Sequence, residues 1–267
     1  MEFLIDLYAK LFARKCFYKI NKLLYYLSIR GLGILNYKSD SLSGESHFIS
    51  SLKKQFNNRK ITVLDVGANQ GDYSLAIKKM FPESIIHSLE PHPKTYIKLK
   101  ECAEIHKFNA HNVGAGETVT TLKLYDYAGN NESGSEHASI FRNVIEKIHH
   151  NVAQSFEINL ITIDSFVKDN NITKIDLIKI DTEGNELGVL KGATECLSNK
   201  VIDLIHFEFN EMNVISRVFM KDFFDMLSDF KFYRMLSDGL VPITYNPLTC
   251  EIFAFQNIVA IRNDVNN

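Results

Sequence analysis

The chain has 267 residues, with 30 Lys and Arg against 32 Asp and Glu, for a net charge of −2. Hydrophobic residues make up 45% and charged residues 23%, ordinary globular values that exclude wholesale disorder, collagen and a disulfide-stapled miniprotein. The near-neutral balance argues against a nucleic-acid binder, which needs a basic footprint, and the length suits one domain plus an appendage.

Charge is unevenly placed. Residues 1–38 hold seven basic and two acidic side chains, while the other 229 residues hold 23 basic and 30 acidic ones. Residues 3–27 read as helical, but the apolar stripe jumps. Leu4, Leu7, Tyr8 and Leu11 share one face, and Ile20, Leu23, Leu24 and Leu27 share another about half a turn away. A kink or two short helices is expected near residues 12–16. In the second piece Lys15, Lys19 and Lys22 oppose the apolar face, which suits either a cap packed on the main domain or peripheral contact of residues 10–30 with a membrane or partner. Glu2 and Asp6 stand where a signal peptide wants positive charge, and no apolar run near them approaches the roughly 20 residues of a membrane span. Cys16, Cys102, Cys196 and Cys250 have no metal-site spacing and read as reduced thiols of a cytoplasmic protein. The turn-rich residues 39–44 separate a basic helical extension, 1–40, from a main domain, 41–267.

Strand and helix signals then alternate. Residues 61–66 form a β-branched apolar run that reads as a buried parallel strand, followed by a helix over 72–81. Further strands are expected at 84–89, 108–113, 175–180, 201–209 and near 233–236, with a last strand at 252–261. Helices are expected at 94–105 and 218–230. This order means an α/β sheet with helices on both faces. Residues 118–125 and 156–162 show period-two patterning around a turn-rich stretch, 127–139, and read as an inserted loop or hairpin near the mouth of the sheet.

The first strand ends in Asp65-Val66-Gly67-Ala68-Asn69-Gln70-Gly71. A glycine turn opening a helix lets backbone approach a ligand closely. Against the dinucleotide pattern G-x-G-x-x-G, Asn69 replaces the second glycine and Asp72 the third, and an acid there disfavours a pyrophosphate. Asp65 suits a cationic group, and Glu90, ending the second strand, suits ribose hydroxyls. A ribose-bearing nucleoside with a charged amino-acid tail and no phosphate fits S-adenosyl-L-methionine. An NAD-dependent oxidoreductase and a non-catalytic scaffold on the same sheet are the alternatives.

These residues, with Leu89-Glu90-Pro91, Asn112-Val113-Gly114, residues 161–165 and the block 178–187 followed by 190–193, resemble the FkbM family of S-adenosylmethionine-dependent methyltransferases. The resemblance runs from about residue 45 to 262. It implies the class I methyltransferase (Rossmann-like) fold, a seven-stranded, mostly parallel sheet whose last strand is antiparallel. It also implies O-methylation of a hydroxyl, often on a sugar or cell-surface glycan precursor. By family pattern, Asp65, Gly67, Asn69 and Gly71 line the methionine side, Glu90 holds the ribose and Asn112 sits near the adenine.

Methyl transfer to a hydroxyl gains from a positioned base as the proton leaves. Asp181 at the carboxyl end of the fourth main strand is the first candidate, with Glu183 next and Glu208 at the end of the fifth. Glu186 suits a helix cap. Lys179 within its apolar strand is expected to form a structural ion pair, and His206 to be a satisfied structural histidine. Asp181, Glu183, Glu208 and Asn210 are oxygen ligands of the kind Mg²⁺ uses, but nothing in their spacing calls for a metal and none is expected. His149 and His150 read as solvated.

Overall fold

The computed structural model describes residues 2–57, 59–129, 134–135 and 137–265. Eleven strands are present among them: β1 (Thr62–Val66), β2 (Ile85–Leu89), β3 (Asn109–His111), β4 (Gly114–Ala115), β5 (Thr120–Tyr127), β6 (Ala153–Ile161), β7 (Ile175–Ile180), β8 (Ile202–Phe209), β9 (Phe230–Leu236), β10 (Gly239–Ile243) and β11 (Gln256–Arg262). The main sheet has the order β10-β9-β11-β8-β7-β1-β2-β3. β1 pairs in parallel with β2 and β7, β2 with β3, and β7 with β8. β11 runs antiparallel to both β8 and β9.

The expected fold class therefore holds, antiparallel last strand included, but the sheet has eight strands rather than seven. The addition is β10, a hairpin partner of β9 that turns at Ser237 and Asp238. It carries Pro242, which lacks an N–H for a ladder and is tolerated on an edge strand. The last strand also begins later than expected, at Gln256. Asn246 accepts a hydrogen bond from the Leu248 N–H (2.9 Å), and Pro247 at the first helical position starts a short helix, Pro247–Cys250.

Both faces of the sheet are covered, as the unbroken burial of β7 and β11 requires. Val63, Leu177, Leu204 and Val259 point to one face, where helices Glu45–Gln55, Asp72–Met80 and Pro93–His106 bury Phe48, Leu52, Ile77 and Leu99. Leu64, Ile178, Ile205 and Ile258 point to the other, against helices Ile163–Asp169, Glu186–Lys191 and Met220–Met226. The apolar side chains alternate with the strand pleat, which places one core on each side of the sheet.

The inserted segment is a second, three-stranded sheet, β4-β6-β5. Its long antiparallel pair joins residues 120–127 to 153–160, and Leu124, Ile158 and Leu160 form its own small core. Residues 130–133 and 136 of the turn-rich stretch lie outside the described residues.

The extension consists of two helices, Glu2–Phe12 and Tyr18–Gly31, with a 3₁₀ turn, Lys15–Phe17, between them, so the expected break is present. It is not the packed cap allowed by the sequence: the first helix buries no side chain and the second only Ile29. Packing on the body begins at Ile34, which is fully buried.

The glycine turn is set by strand packing as well as by any ligand. Gly67 has φ +81°, and a Cβ there would overlap the carbonyl oxygen of Asp181 at the end of β7. Gly67→Ala is expected to cost at least about 3 kcal/mol, left-handed strain plus a displaced strand end. Urea unfolding would measure it, and a cost below about 1 kcal/mol would show that the strand end yields freely. Gly71, φ +95°, ends the turn as the helix cap, and a Cβ there would press on Leu99 and Phe108.

Candidate active site

A cavity of about 670 Å³ lies beyond the carboxyl ends of β1, β2, β7 and β8. It opens where the strand order reverses, with β2 and β3 on one side of β1 and β7 and β8 on the other, the usual ligand position in open α/β sheets. Nine carboxyl side chains line it, against one lysine and two histidines, among the described residues. Such a lining favours a cationic ligand.

Glu90 closes one end. Its two oxygens accept the backbone N–H groups of Asn69 (2.9 Å) and His92 (2.7 Å), which fixes the carboxylate while leaving it further acceptor capacity. Burial outweighs these two hydrogen bonds and pushes its pKa up to about 7. Asp65 lies buried behind the turn and accepts the hydroxyl of Ser74 (2.5 Å), which in turn touches the Ser88 hydroxyl (2.7 Å). Burial raises Asp65 to about 6. Four of the turn's N–H donors are taken internally. Gly67 and Ala68 N–H go to the Leu89 carbonyl, Asn69 N–H to Glu90, and Gly71 N–H to the Ala68 carbonyl. A diphosphate needs such donors free. With these donors taken and Asp72 opening the helix, the cradle suits a ligand with ribose hydroxyls and positive charge better than a diphosphate.

Asp65, Gly67, Asn69 and Glu90 all line the cavity. Gly71 and Asn112 are not part of its lining. The Asn112 amide donates to the carbonyls of Glu90 (2.9 Å) and Pro91 (3.2 Å), bracing the loop that carries the carboxylate. The inserted sheet braces it too. His92 faces Asp126 of β5 across 3.3 Å, and Asp126 also accepts from Ser135 and from the Tyr127 N–H (2.7 Å). Burial alone would raise Asp126, but the hydrogen bonds from His92, Ser135 and the backbone hold it at about 2.

On the floor, Lys179 of β7 lies 3.3 Å from Asp181 and 3.4 Å from Glu208. This is the expected ion pair. Burial opposes the Lys179 charge, yet Asp181, Glu208 and Glu45 around it hold its ammonium above the usual lysine range. Burial, followed by the charge of Asp181, pushes Glu208 well above the usual carboxyl range. His206 bonds Tyr73 Oη (3.2 Å) and Asn257 Oδ1 (3.0 Å), so both ring nitrogens are satisfied and its role is structural.

The loop after β7 carries the remaining candidates. Glu186 is the first residue of its helix, behind the N-cap position held by Asn185. Its carboxylate turns back to accept the N–H groups of Thr182 (2.9 Å) and Gly184 (3.1 Å), so it ties down the preceding loop instead of serving as the expected helix cap. Glu183 and Gly184 are both left-handed, φ +52° and +105°. For Glu183 this is strained, and such strain gathers at functional sites. Glu183 is 9% exposed. Its Oε1 lies 3.3 Å from His137 Nδ1, while its Oε2 is buried without a hydrogen-bond partner. Burial raises its pKa to about 7.

The structure brings to the site residues that the sequence reading did not place there. His137 and His149 stack with centroids 4.6 Å apart, and both line the cavity. His149 is thus not merely solvated: its Nε2 is buried and unpartnered, and burial lowers its pKa. Tyr37, Ser39, Asp40, Ser43 and Glu45, from the end of the extension and the helix after it, also line the cavity. Burial raises Glu45 to about 7. Leu124, Ile158 and Leu160 of the inserted sheet form an apolar wall, so the insertion is built into the site.

Residues 65–236 match the sequence model of the family described as Methyltransferase FkbM domain. The chain belongs to this family. Methyltransferase 1 of Beauveria bassiana (strain ARSEF 2860) is 25% identical over 158 residues, covering 53% of this chain and 64% of that protein. The hexuronic acid methyltransferase AglP of Haloferax volcanii is 28% identical over 167 residues, covering 62% of this chain and 64% of its own. The chain thus spans less than two thirds of these relatives. Among solved structures, the plantazolicin methyltransferase BpumL in complex with SAH aligns over 82% of each chain, at 11% identity and a TM-score of 0.44. Membership of this methyltransferase family agrees with S-adenosyl-L-methionine, the cofactor expected from the turn and the two acids.

Proposed function

We propose that the protein methylates a hydroxyl of an uncharged sugar or glycan precursor, using S-adenosyl-L-methionine. The observation that carries this reading is a buried carboxyl oxygen, Glu183 Oε2, left unpartnered in an acid-lined cavity whose other end holds the Glu90 clamp. When bound, the cofactor supplies a methyl carbon made electrophilic by its sulfonium. Glu90 would accept the ribose hydroxyls, Asp65 would face the ammonium, and Gly67 and Asn69 would form the floor of the turn. Gly71 and Asn112 hold this end in shape, by helix capping and by bracing the Glu90 loop.

At the other end Glu183 would accept the acceptor's proton as the hydroxyl oxygen becomes nucleophilic. His137 keeps that carboxyl in place. Asp181, tethered by Lys179, would orient the hydroxyl in line with the transferring carbon. Glu208, on the same lysine, would position Asp181 through it. His149 Nε2 and the apolar wall of the inserted sheet would bind the rest of the acceptor. We include residues from about 34 onward in the catalytic unit, because Ile34 enters the core and Tyr37 and Asp40 line the cavity.

A sugar acceptor is supported by the AglP relative, whose name gives a hexuronic acid. The lining of this cavity favours a neutral sugar instead, because its one lysine is already paired with Asp181 and Glu208 and the carboxyls around it would repel an acceptor's carboxylate. The test is methyl transfer from labelled cofactor to a panel of hexosides and matched hexuronides. Neutral hexosides are expected to be methylated at least about tenfold faster, the equivalent of about 1.4 kcal/mol of charge repulsion. Faster transfer to hexuronides would overturn the charge argument, and no transfer to any sugar would overturn the acceptor class.

A further inference from the structure

Most of the exposed apolar surface is gathered in the extension. Of 26 exposed large hydrophobic side chains among the described residues, 15 lie between Phe3 and Leu32. They include Phe3 (76% exposed), Leu4, Leu23 and Leu27. Monomeric soluble proteins rarely leave so dense an apolar surface uncovered. Six basic side chains are interspersed over residues 2–31, against two acidic ones.

The two helices are held in a defined arrangement. The Asn21 amide donates to the Phe12 carbonyl (2.9 Å), and Tyr8 donates its hydroxyl to Asn21 Oδ1 (2.6 Å). The rings of Tyr8 and Phe12 stack at 4.9 Å, and Phe17 meets Phe12 edge-on at 5.1 Å. Neither helix is long and apolar enough to cross a membrane. The pair is also tied to the catalytic body. Arg30 donates to the Leu35 carbonyl (2.8 Å), and the Leu35 N–H donates to the carbonyl of Phe255 (2.8 Å). Two residues on, Tyr37 lines the cavity.

We propose that residues 3–27 form an interfacial anchor that seats this protein on an anionic lipid surface, through the exposed Leu, Phe and Tyr side chains and the lysines among them. Charge selects this occupant. The rest of the chain is net negative, so an anionic bilayer attracts the extension and repels the body, which orients the molecule. A second copy of the same basic helices would meet like charge, which disfavours self-association through this face. Aromatic side chains with a polar tip, such as Tyr18, Tyr25 and Tyr26, suit the boundary between lipid and water.

The test is flotation of the full chain with vesicles of phosphatidylcholine, alone or mixed with phosphatidylglycerol, at low and high salt. The protein is expected to float with the mixed vesicles at low salt, and less with pure phosphatidylcholine or at high salt. Reversing Lys15, Lys19 and Lys22 together to Glu should lower partitioning at least about 100-fold. Replacing Leu4, Leu24 and Leu27 together with Ser should release the protein from both vesicle types. These side chains are exposed, so the melting temperature of each variant should match that of the unmodified chain. A chain that stays unbound to mixed vesicles at low salt would overturn the proposal. So would a lysine variant that floats undiminished, or a chain that forms dimers through these helices and ignores lipid.

Discussion

Glu90→Ala is expected to lower the affinity for S-adenosyl-L-methionine by about 100-fold in a calorimetric titration. Hydrogen bonds to a charged group contribute roughly 1.5–3 kcal/mol each, so losing two from a ribose costs about 3 kcal/mol or more. NAD should not bind either protein, because four of the turn's N–H groups are committed and Asp72 at the helix start opposes a diphosphate. The pH dependence is a second signature. Asp65 has its pKa raised to about 6, and Glu90 and Glu45 to about 7, each first through burial. Below those values the empty cavity holds protons. A cationic cofactor favours the ionised carboxylates and drives the protons off. Affinity therefore rises with pH through about 6 to 7 and levels above it, and binding at the lower end releases protons. Titrations in two buffers of different ionisation enthalpy measure that release, which should shrink in Glu90→Ala. Because Glu90 also holds the Asn69 and His92 N–H groups, the melting temperature of the unliganded variant is needed beside the titration. A folded variant with unchanged affinity would remove Glu90 from the cofactor site, and NAD binding would undo the reading of the whole turn.

What could be read in advance follows from how local each signal is. β1, β2, β7 and β8 are short apolar runs, and the glycine turn and Glu90 follow two of them directly, so pattern alone located them. Lys179 and His206 were readable as structural because a polar side chain inside a buried strand must find a partner. β10 is not read from the sequence because Pro242 interrupts a short run and speaks against a strand, although Leu240, Val241 and Ile243 are apolar and Asp238-Gly239 is a hairpin signal. Asn112 and Gly71 were expected at the ligand because motif residues are read as ligand residues. Neither lines the cavity, and their contacts are to the Glu90 loop and to Leu99 and Phe108, from which supporting roles are proposed for them. His137, His149 and Glu45 could not be found by periodicity. They come from separate segments, and only the packing of the inserted sheet and the first body helix against the strand ends brings them to one cavity. Among the three catalytic candidates, the sequence puts Asp181 ahead of Glu183, and the proposed base is the reverse choice. Asp181 is tethered by Lys179 while a Glu183 oxygen is left unpartnered, and that difference is tertiary.

Glu183→Gln then separates the two carboxylates. With an acceptor that supports turnover, it is expected to lower kcat by about 10²- to 10⁴-fold, the usual contribution of a positioned base. Cofactor affinity should stay within about threefold of wild type, because Glu183 lies at the acceptor end. Its carboxyl titrates at about 7, raised by burial. As a base it acts only when deprotonated, so kcat/KM should climb as pH rises through about 7 and flatten above it. The Gln variant should lose that climb. His137→Ala gives the complementary result. The hydrogen bond from His137 lowers the Glu183 pKa, so without it the climb should move to higher pH while the plateau rate is largely kept. Asp181→Asn, acting on orientation, should lower the rate without moving the climb's midpoint upward, since removing its negative charge lowers the Glu183 pKa. If Glu183→Gln keeps its kcat and Asp181→Asn abolishes the climb, the proton goes to Asp181, and the unpartnered oxygen of Glu183 serves only to bind the acceptor.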